Sequence, residues 1–166
     1  MAGLRELLAD LPGPDLAAIE AVHRRAADIL RPPGALAWLD DLAAWVAGWH
    51  HEPLPRVESP AALVFAGDHG VAAAAKVSAY NPDATAAMFG AAQQGRATIS
   101  AFARHAGATV SLVDVGIGKP TADIRTEAAV SAVRFAEIVD VAGAAVDDLE
   151  TDLLVVGEIG VGNTTP

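Results

Sequence analysis

The amino-acid sequence predicts an α/β fold: three layers, α/β/α, around a parallel Rossmann-like sheet, preceded by an amino-terminal helical segment. Two observations carry that prediction. Short, largely apolar runs recur at residues 61–66, 109–116 and 152–156, and each ends in glycine and polar residues. Segments with helical character separate them, from Thr85 to Ala106 and from Ser131 to Leu149. Strands buried on both faces read as continuous apolar runs rather than alternating ones. Strands that alternate with helices are the pattern of a parallel sheet with helices on its faces.

In chain order, residues 1–50 read as helices. Leu16, Ile19, Val22, Ala26, Ile29 and Leu30 recur at three- and four-residue steps, and Asp15, after Pro14, sits in a first turn. Arg31-Pro32-Pro33-Gly34 breaks this helix. A second amphipathic segment runs from Ala35 to about Trp49, with Leu39, Leu42, Trp45, Val46 and Trp49 on one stripe. Trp38, Trp45 and Trp49 on a helical stripe point to core or subunit packing more than to stacking on a ring ligand. Residues 50–60 contain three prolines and form a connector. Residues 1–60 are therefore read as helical segment and connector, and residues 61–166 as a partial parallel α/β domain, incomplete at its carboxyl end.

Composition narrows the functional classes. At 166 residues and 52% hydrophobic content, the chain is long enough to bury a core. A formal charge of −10 opposes sequence-independent nucleic-acid binding and attraction to anionic lipid. An anionic small molecule is still accommodated, because backbone amides hold a phosphate whatever the net charge. The absence of cysteine removes disulfides, thiolate metal sites and cysteine nucleophiles, and is compatible with a cytoplasmic location. Residues 1–10 do not read as a secretory signal, and no apolar stretch approaches the ~20 residues of a membrane helix.

Three polar motifs fall at the predicted strand ends, where parallel sheets bind ligands. Gly157-Glu158-Ile159-Gly160-Val161-Gly162-Asn163-Thr164-Thr165 follows the last strand. Its glycines permit a tight turn and close backbone approach, and Asn163, Thr164 and Thr165 add amide and hydroxyl donors. This is a way to hold phosphate without lysine, unlike a Walker loop. The same pattern also describes a plain strand-to-helix turn with Asn-Thr-Thr as caps. Gly67-Asp68-His69-Gly70 offers an acid/base pair, ligands for a metal, or a turn bonded to its own backbone. Asp114 contacts a ribose or, more simply, orders its own loop. His50 and His51 are adjacent, while His23 and His105 fall in helices, so no metal-ligand spacing emerges and no metal is called for.

Together these segments resemble the phosphoribosyltransferases that assemble the lower ligand of cobalamin, the nicotinate-nucleotide:dimethylbenzimidazole family. The resemblance rests on Arg31-Pro32-Pro33-Gly34-Ala35-Leu36, the 64–71 strand end with Asp68-His69-Gly70-Val71, Val77-Ser78-Ala79-Tyr80, Val113-Asp114-Val115-Gly116, Asp123-Ile124-Arg125-Thr126-Glu127 and the closing glycine-rich motif. It implies that 5,6-dimethylbenzimidazole displaces nicotinate from nicotinate mononucleotide, giving α-ribazole 5′-phosphate without a cofactor. It places Gly160, Gly162, Asn163, Thr164 and Thr165 around the phosphate and Glu158 near the reacting centre. It puts Ser78 and Tyr80 in the benzimidazole pocket and leaves Asp68 and His69 without a defined role. A homodimer is the assembly it suggests.

The sequence departs from the family pattern in four places. Lys76 stands where glycine is usual, Asn81 where proline is usual, Ala87 in place of a pocket glutamine and Arg96 in place of a glycine. Losing an amide from the pocket weakens recognition of the base. Members of the family are longer, with their principal general base, a glutamate, in the carboxyl-terminal half. The expectation is a truncated chain that is inactive by itself, or a nucleotide-binding module that forms one half of a split protein.

Overall fold

One strand is buried along nearly its whole length. β1 (Pro60–Gly67) consists almost entirely of apolar residues, and Leu63 and Ala66 are fully buried within it. Such a strand must lie at the centre of a sheet, and the computed structural model, which describes Ala9 and residues 11–165, places it there. β2 (Thr109–Gly116) and β3 (Leu153–Ile159) flank it in the order β2-β1-β3, both parallel to it. The register sets Val64 opposite Leu112 and Gly157, and Phe65 opposite Val113 and Glu158. All three strands therefore end on the same side of the sheet.

The connections explain the layers. After β1 come α3 (Gly70–Ala75), α4 (Ala84–Gln93) and α5 (Thr98–Ala106); α6 (Ala132–Asp147) joins β2 to β3. The first connection moves to one side of β1 and the second crosses back over it. Right-handed crossovers, the rule for parallel strands, carry the two connections over opposite faces. α4 packs on all three strands, α5 on β1 and β2, and α6 on β2. The α/β class and the parallel sheet with flanking helices are as the sequence predicts.

Two boundaries around the sheet differ. The single helix expected over Thr85–Ala106 is two helices, α4 and α5, because Gly95 turns the chain at φ +69°. The Arg104 guanidinium seals the break by donating to the Gly95 carbonyl at 2.8 Å. An alanine-rich segment gives no periodicity that marks such a break. The third strand runs to Ile159, three residues beyond the expected Val156, so Glu158 belongs to the sheet and the loop proper is Gly160–Thr165. As an edge strand β3 leaves Val155 and Val156 more than half exposed.

The chain divides into two compact units, Met1–Arg56 and Val57–Pro166. In the first, α1 (Leu16–Asp28) packs on α2 (Leu39–His50), a later start for the second helix than the expected Ala35. Asp15 caps α1, its Oδ1 accepting from Ala17 and Ala18 at 2.8 and 3.1 Å. The contact between the helices uses small residues: Ala18, Ala44, Ala47 and Gly48 are buried. The larger apolar residues of the expected stripes are not. Leu30 is fully exposed, and Trp38, Leu39, Leu42, Trp45 and Trp49 are all exposed. The tryptophans are exposed, so core packing, one of the two roles expected of them, is corrected: the helices meet through Ala18, Ala44, Ala47 and Gly48, with Ile19 packed against Gly48.

Two interactions around the strand ends generate predictions. Thr85 is fully buried, and its Oγ1 accepts from the Val161 amide at 3.1 Å, tying the glycine-rich loop to α4. Thr85→Val leaves that amide buried and unpaired, at a cost of about 1–3 kcal/mol. Amide exchange at Val161 should quicken in T85V and stay protected in T85S. Lys76 follows α3 in the left-handed region at φ 49°, which explains why glycine is usual there. Lys76→Gly relieves about 1–2 kcal/mol of strain against about 0.5–1 kcal/mol of added chain entropy, so the urea midpoint should rise.

Candidate functional site

The sheet reverses its strand order at β1, and the crevice outside the carboxyl ends of β1 and β3 lies at that reversal, where open α/β sheets bind ligands. The polar residues singled out in the sequence converge there. After β1 the chain turns through Asp68 and His69 into α3, and this corner is fixed from outside by the segment that follows β2. The Asp68 amide donates to the Gly116 carbonyl at 3.3 Å, and the Thr121 amide donates to the Asp68 carbonyl at 3.0 Å. Gly118 donates its amide to Asp68 Oδ2 at 2.7 Å, and the Gly70 amide donates to Thr121 Oγ1 at 3.2 Å. Asp68 Oδ1 is buried and accepts no hydrogen bond among the described residues. It is a buried side-chain polar atom left unpaired among the described residues, where most such atoms are satisfied.

Glu158 leaves β3 beside this corner. Its Oε1 lies 3.4 Å from His69 Nε2, and its Oε2 accepts from the Asn163 side-chain amide. The carboxylate forms part of the wall of two clefts. The larger, about 570 Å³, is lined by Phe65, Asp68, His69, Lys119, Thr121, Arg134 and Glu137 among others. The smaller, about 330 Å³, is lined by Val77, Ser78, Tyr80 and Met88 on one side and by Gly160, Gly162, Asn163 and Thr164 on the other. Ser78 and Tyr80 are locally ordered, the Tyr80 amide donating to Ser78 Oγ at 3.1 Å. The structure therefore brings Ser78, Tyr80, Glu158, Gly160, Gly162, Asn163 and Thr164 to one cleft, with Asp68 and His69 on the far side of Glu158. Thr165 lines neither of these clefts.

The loop's glycines serve close packing as much as ligand approach. A Cβ on Gly160 would stand 2.6 Å from the Gly67 carbonyl oxygen and 2.7 Å from both Glu158 Oε1 and His69 Nε2. Gly162 adopts φ +83° and passes against Ala72 and Val77. The Asn163 amide donates to the Gly160 carbonyl and the Thr165 amide to the Gly162 carbonyl, at 3.2 and 3.0 Å. Among the described residues the Gly162 and Thr164 amides make no hydrogen bond, and these with the threonine hydroxyls are the loop's donors for an anion. No helix follows the loop within the described residues, so the plain strand-to-helix turn that the sequence also allows is not seen among them.

The segment after β2 is ordered by its own polar groups. Asp114 Oδ1 accepts from the Gly116 and Ile117 amides at 2.9 and 2.8 Å, an Asx-type turn. Arg125 grips Asp123 through a side-chain hydrogen bond at 2.6 Å and a backbone one, holding that carboxyl below the usual carboxylate range. The pair contributes above that range and is lost as pH falls through the depressed Asp123 pKa. Arg134 spans the larger cleft's rim, donating to the Val115 carbonyl at 2.7 Å and pairing with Glu137 at 3.0 Å. Thr85, Thr121 and Arg134, which hold the site together, carried no motif signal in the sequence. Among the described residues no group of three or more histidines and carboxylates could hold a metal ion.

Comparison with known proteins gives this geometry its family. Residues 11–166 match the family described as "Phosphoribosyltransferase". The nicotinate-nucleotide–dimethylbenzimidazole phosphoribosyltransferase of Ruegeria pomeroyi is 42% identical over all 166 residues, which cover 49% of that protein. Its counterpart from a Jannaschia species is 44% identical over 158 residues, 95% of this chain and 46% of the relative. The crystal structure of the same enzyme from Thermus thermophilus superposes with a TM-score of 0.76 at 29% identity, over 91% of this chain and 51% of that one. The chain thus spans about half the length of the curated relatives it matches. With sheet, loop and carboxylate arranged as described, it belongs to the nicotinate-nucleotide:dimethylbenzimidazole phosphoribosyltransferase family.

Proposed function

We propose that this chain supplies the nucleotide-holding part of an enzyme that transfers the phosphoribosyl group of nicotinate mononucleotide to 5,6-dimethylbenzimidazole. The observation that carries the reading is the place of Glu158, in the wall shared by the two clefts and five residues before Asn163. In this reading the Gly162 and Thr164 amides, with the hydroxyl of Thr164, hold the 5′-phosphate, and Thr165 stands outside the two clefts. Ser78, Tyr80 and Met88 receive the benzimidazole ring in the smaller cleft. A ring nitrogen of the benzimidazole attacks the anomeric carbon while the bond to nicotinate breaks on the opposite face, inverting that carbon. Nicotinate departs from a pyridinium and takes the bond's electron pair, so it needs no proton. The attacking ring must lose one N–H proton, and a carboxylate is a competent acceptor. Anchoring the phosphate fixes the ribose for in-line displacement.

The relatives are about twice as long as this chain, which favours a second reading of the 166 residues by themselves: binding without turnover, as one part of a larger or split protein. Calorimetry of the 166-residue chain with nicotinate mononucleotide is the experiment that tests both. Binding is expected, with no α-ribazole 5′-phosphate formed until the remaining length found in relatives is supplied. Turnover by the short chain would refute its dependence on that length, and absence of binding in both forms would refute the phosphate-loop assignment.

A cytoplasmic homodimer belongs to the same reading. Trp38, Leu39, Leu42, Trp45 and Trp49 offer an exposed apolar stripe of the kind that subunit contacts bury. Sedimentation at micromolar concentration should give a two-chain species that Trp45→Lys converts to one chain. A one-chain species for the unaltered protein would discard the dimer.

A further inference from the structure

The Glu158 carboxylate sits on three rotatable bonds between two clefts, so something must select where it points. Each of its oxygens has one partner, and the two partners approach from different segments: His69 Nε2 at Oε1, 3.4 Å away, and the Asn163 amide at Oε2. His69 lines the larger cleft and Asn163 the smaller. The histidine is not placed by chance rotation of a free loop. Its residue caps α3 in extended conformation, its carbonyl accepts from the Ala72 amide at 3.0 Å, and its neighbours Asp68 and Gly70 are bonded to Gly118 and Thr121. The chain also leaves room for the contact. Any side chain at position 160 would stand 2.7 Å from both Oε1 and Nε2, so the glycine there admits the pair.

From this geometry we infer that His69 is a positioning residue for Glu158: protonated on Nε2, it donates to Oε1 and, with Asn163 on Oε2, holds the carboxylate at the boundary of the two clefts. The inference rests on the reading of Glu158 as the carboxylate near the reacting centre. Its chemistry is that of orientation, since His69 touches the carboxylate and transfers no proton. A 3.4 Å separation is long for a hydrogen bond, and bonds of this kind commonly shorten in the substrate complex. A misplacement of about 1 Å in a reacting group costs on the order of 100-fold in rate.

Two measurements test it. In the 166-residue chain, long-range proton–nitrogen NMR should find the His69 ring protonated on Nε2, and Glu158→Gln should shift both the His69 ring signals and the Asn163 side-chain amide signals. An Nδ1-protonated ring, or His69 signals unmoved by E158Q, overturns the contact itself. In the enzyme at the length of its relatives, His69→Ala and His69→Asn, both too short to reach Oε1, should lower kcat on the order of 10- to 100-fold with KM for nicotinate mononucleotide nearly unchanged. His69→Gln, whose amide extends toward the same oxygen, should recover most of the loss, and H69A combined with E158Q should be no slower than E158Q alone. Full activity of H69A beside an impaired E158Q overturns the positioning role only. Full activity of E158Q overturns the underlying reading of the carboxylate and the inference with it. Thermal melting of each variant separates a folding defect from either result, and H69N and H69Q carry the comparison if H69A does not fold.

Discussion

Parallel pairing of β1 with both neighbours is the constraint on which everything else in the sheet unit depends. Leu63 and Ala66 are fully buried there, and the strand holds β2 and β3 in one register, so that three chain segments far apart in sequence end side by side. Slip β3 by one residue and Glu158 moves to the opposite face from Phe65, away from His69. The site is thus a by-product of hydrophobic burial: the strand that cannot be solvated sets the position of the groups that must be.

Much of this was legible in the residues because central parallel strands have a plain signature. Continuous apolar runs located β1 and β2 almost to the residue, and the polar tips pointed to the ends that matter. What stayed illegible has identifiable causes. The break at Gly95 lies in an alanine-rich stretch where an isolated glycine is a weak signal, and the guanidinium that seals it comes from Arg104 in the next helix. The His69–Glu158 contact joins residues 89 apart, and no local spacing encodes such a pair. The tryptophan stripe had the right period, but period says which residues share a face and not what that face meets. The buried seam of α1 and α2 is built from Ala18, Ala44, Ala47 and Gly48.

Family resemblance and physical reading also inform each other at the departures. Lys76 occupies left-handed backbone, which supplies a reason for the usual glycine and marks this chain as carrying strain beside its own cleft. Ala87 lies exposed on α4, one residue before Met88 in the cleft wall, so an alanine there leaves the sheet intact.

Gly160 has a consequence for how such a site evolves. Two of the atoms a side chain there would strike are tips of Glu158 and His69, which could swing aside, but the third is the Gly67 carbonyl of the central strand, which cannot. Every amino-acid replacement at that position therefore meets the backbone of the sheet. The loop is welded to the strand, and a side chain at position 160 could not be accommodated without disturbing Glu158 and His69 as well. Across the smaller cleft Tyr80 and Met88 are exposed, and a replacement there has the room that position 160 lacks. One wall of the cleft is thus fixed by backbone, and the other is open to changes in side-chain shape.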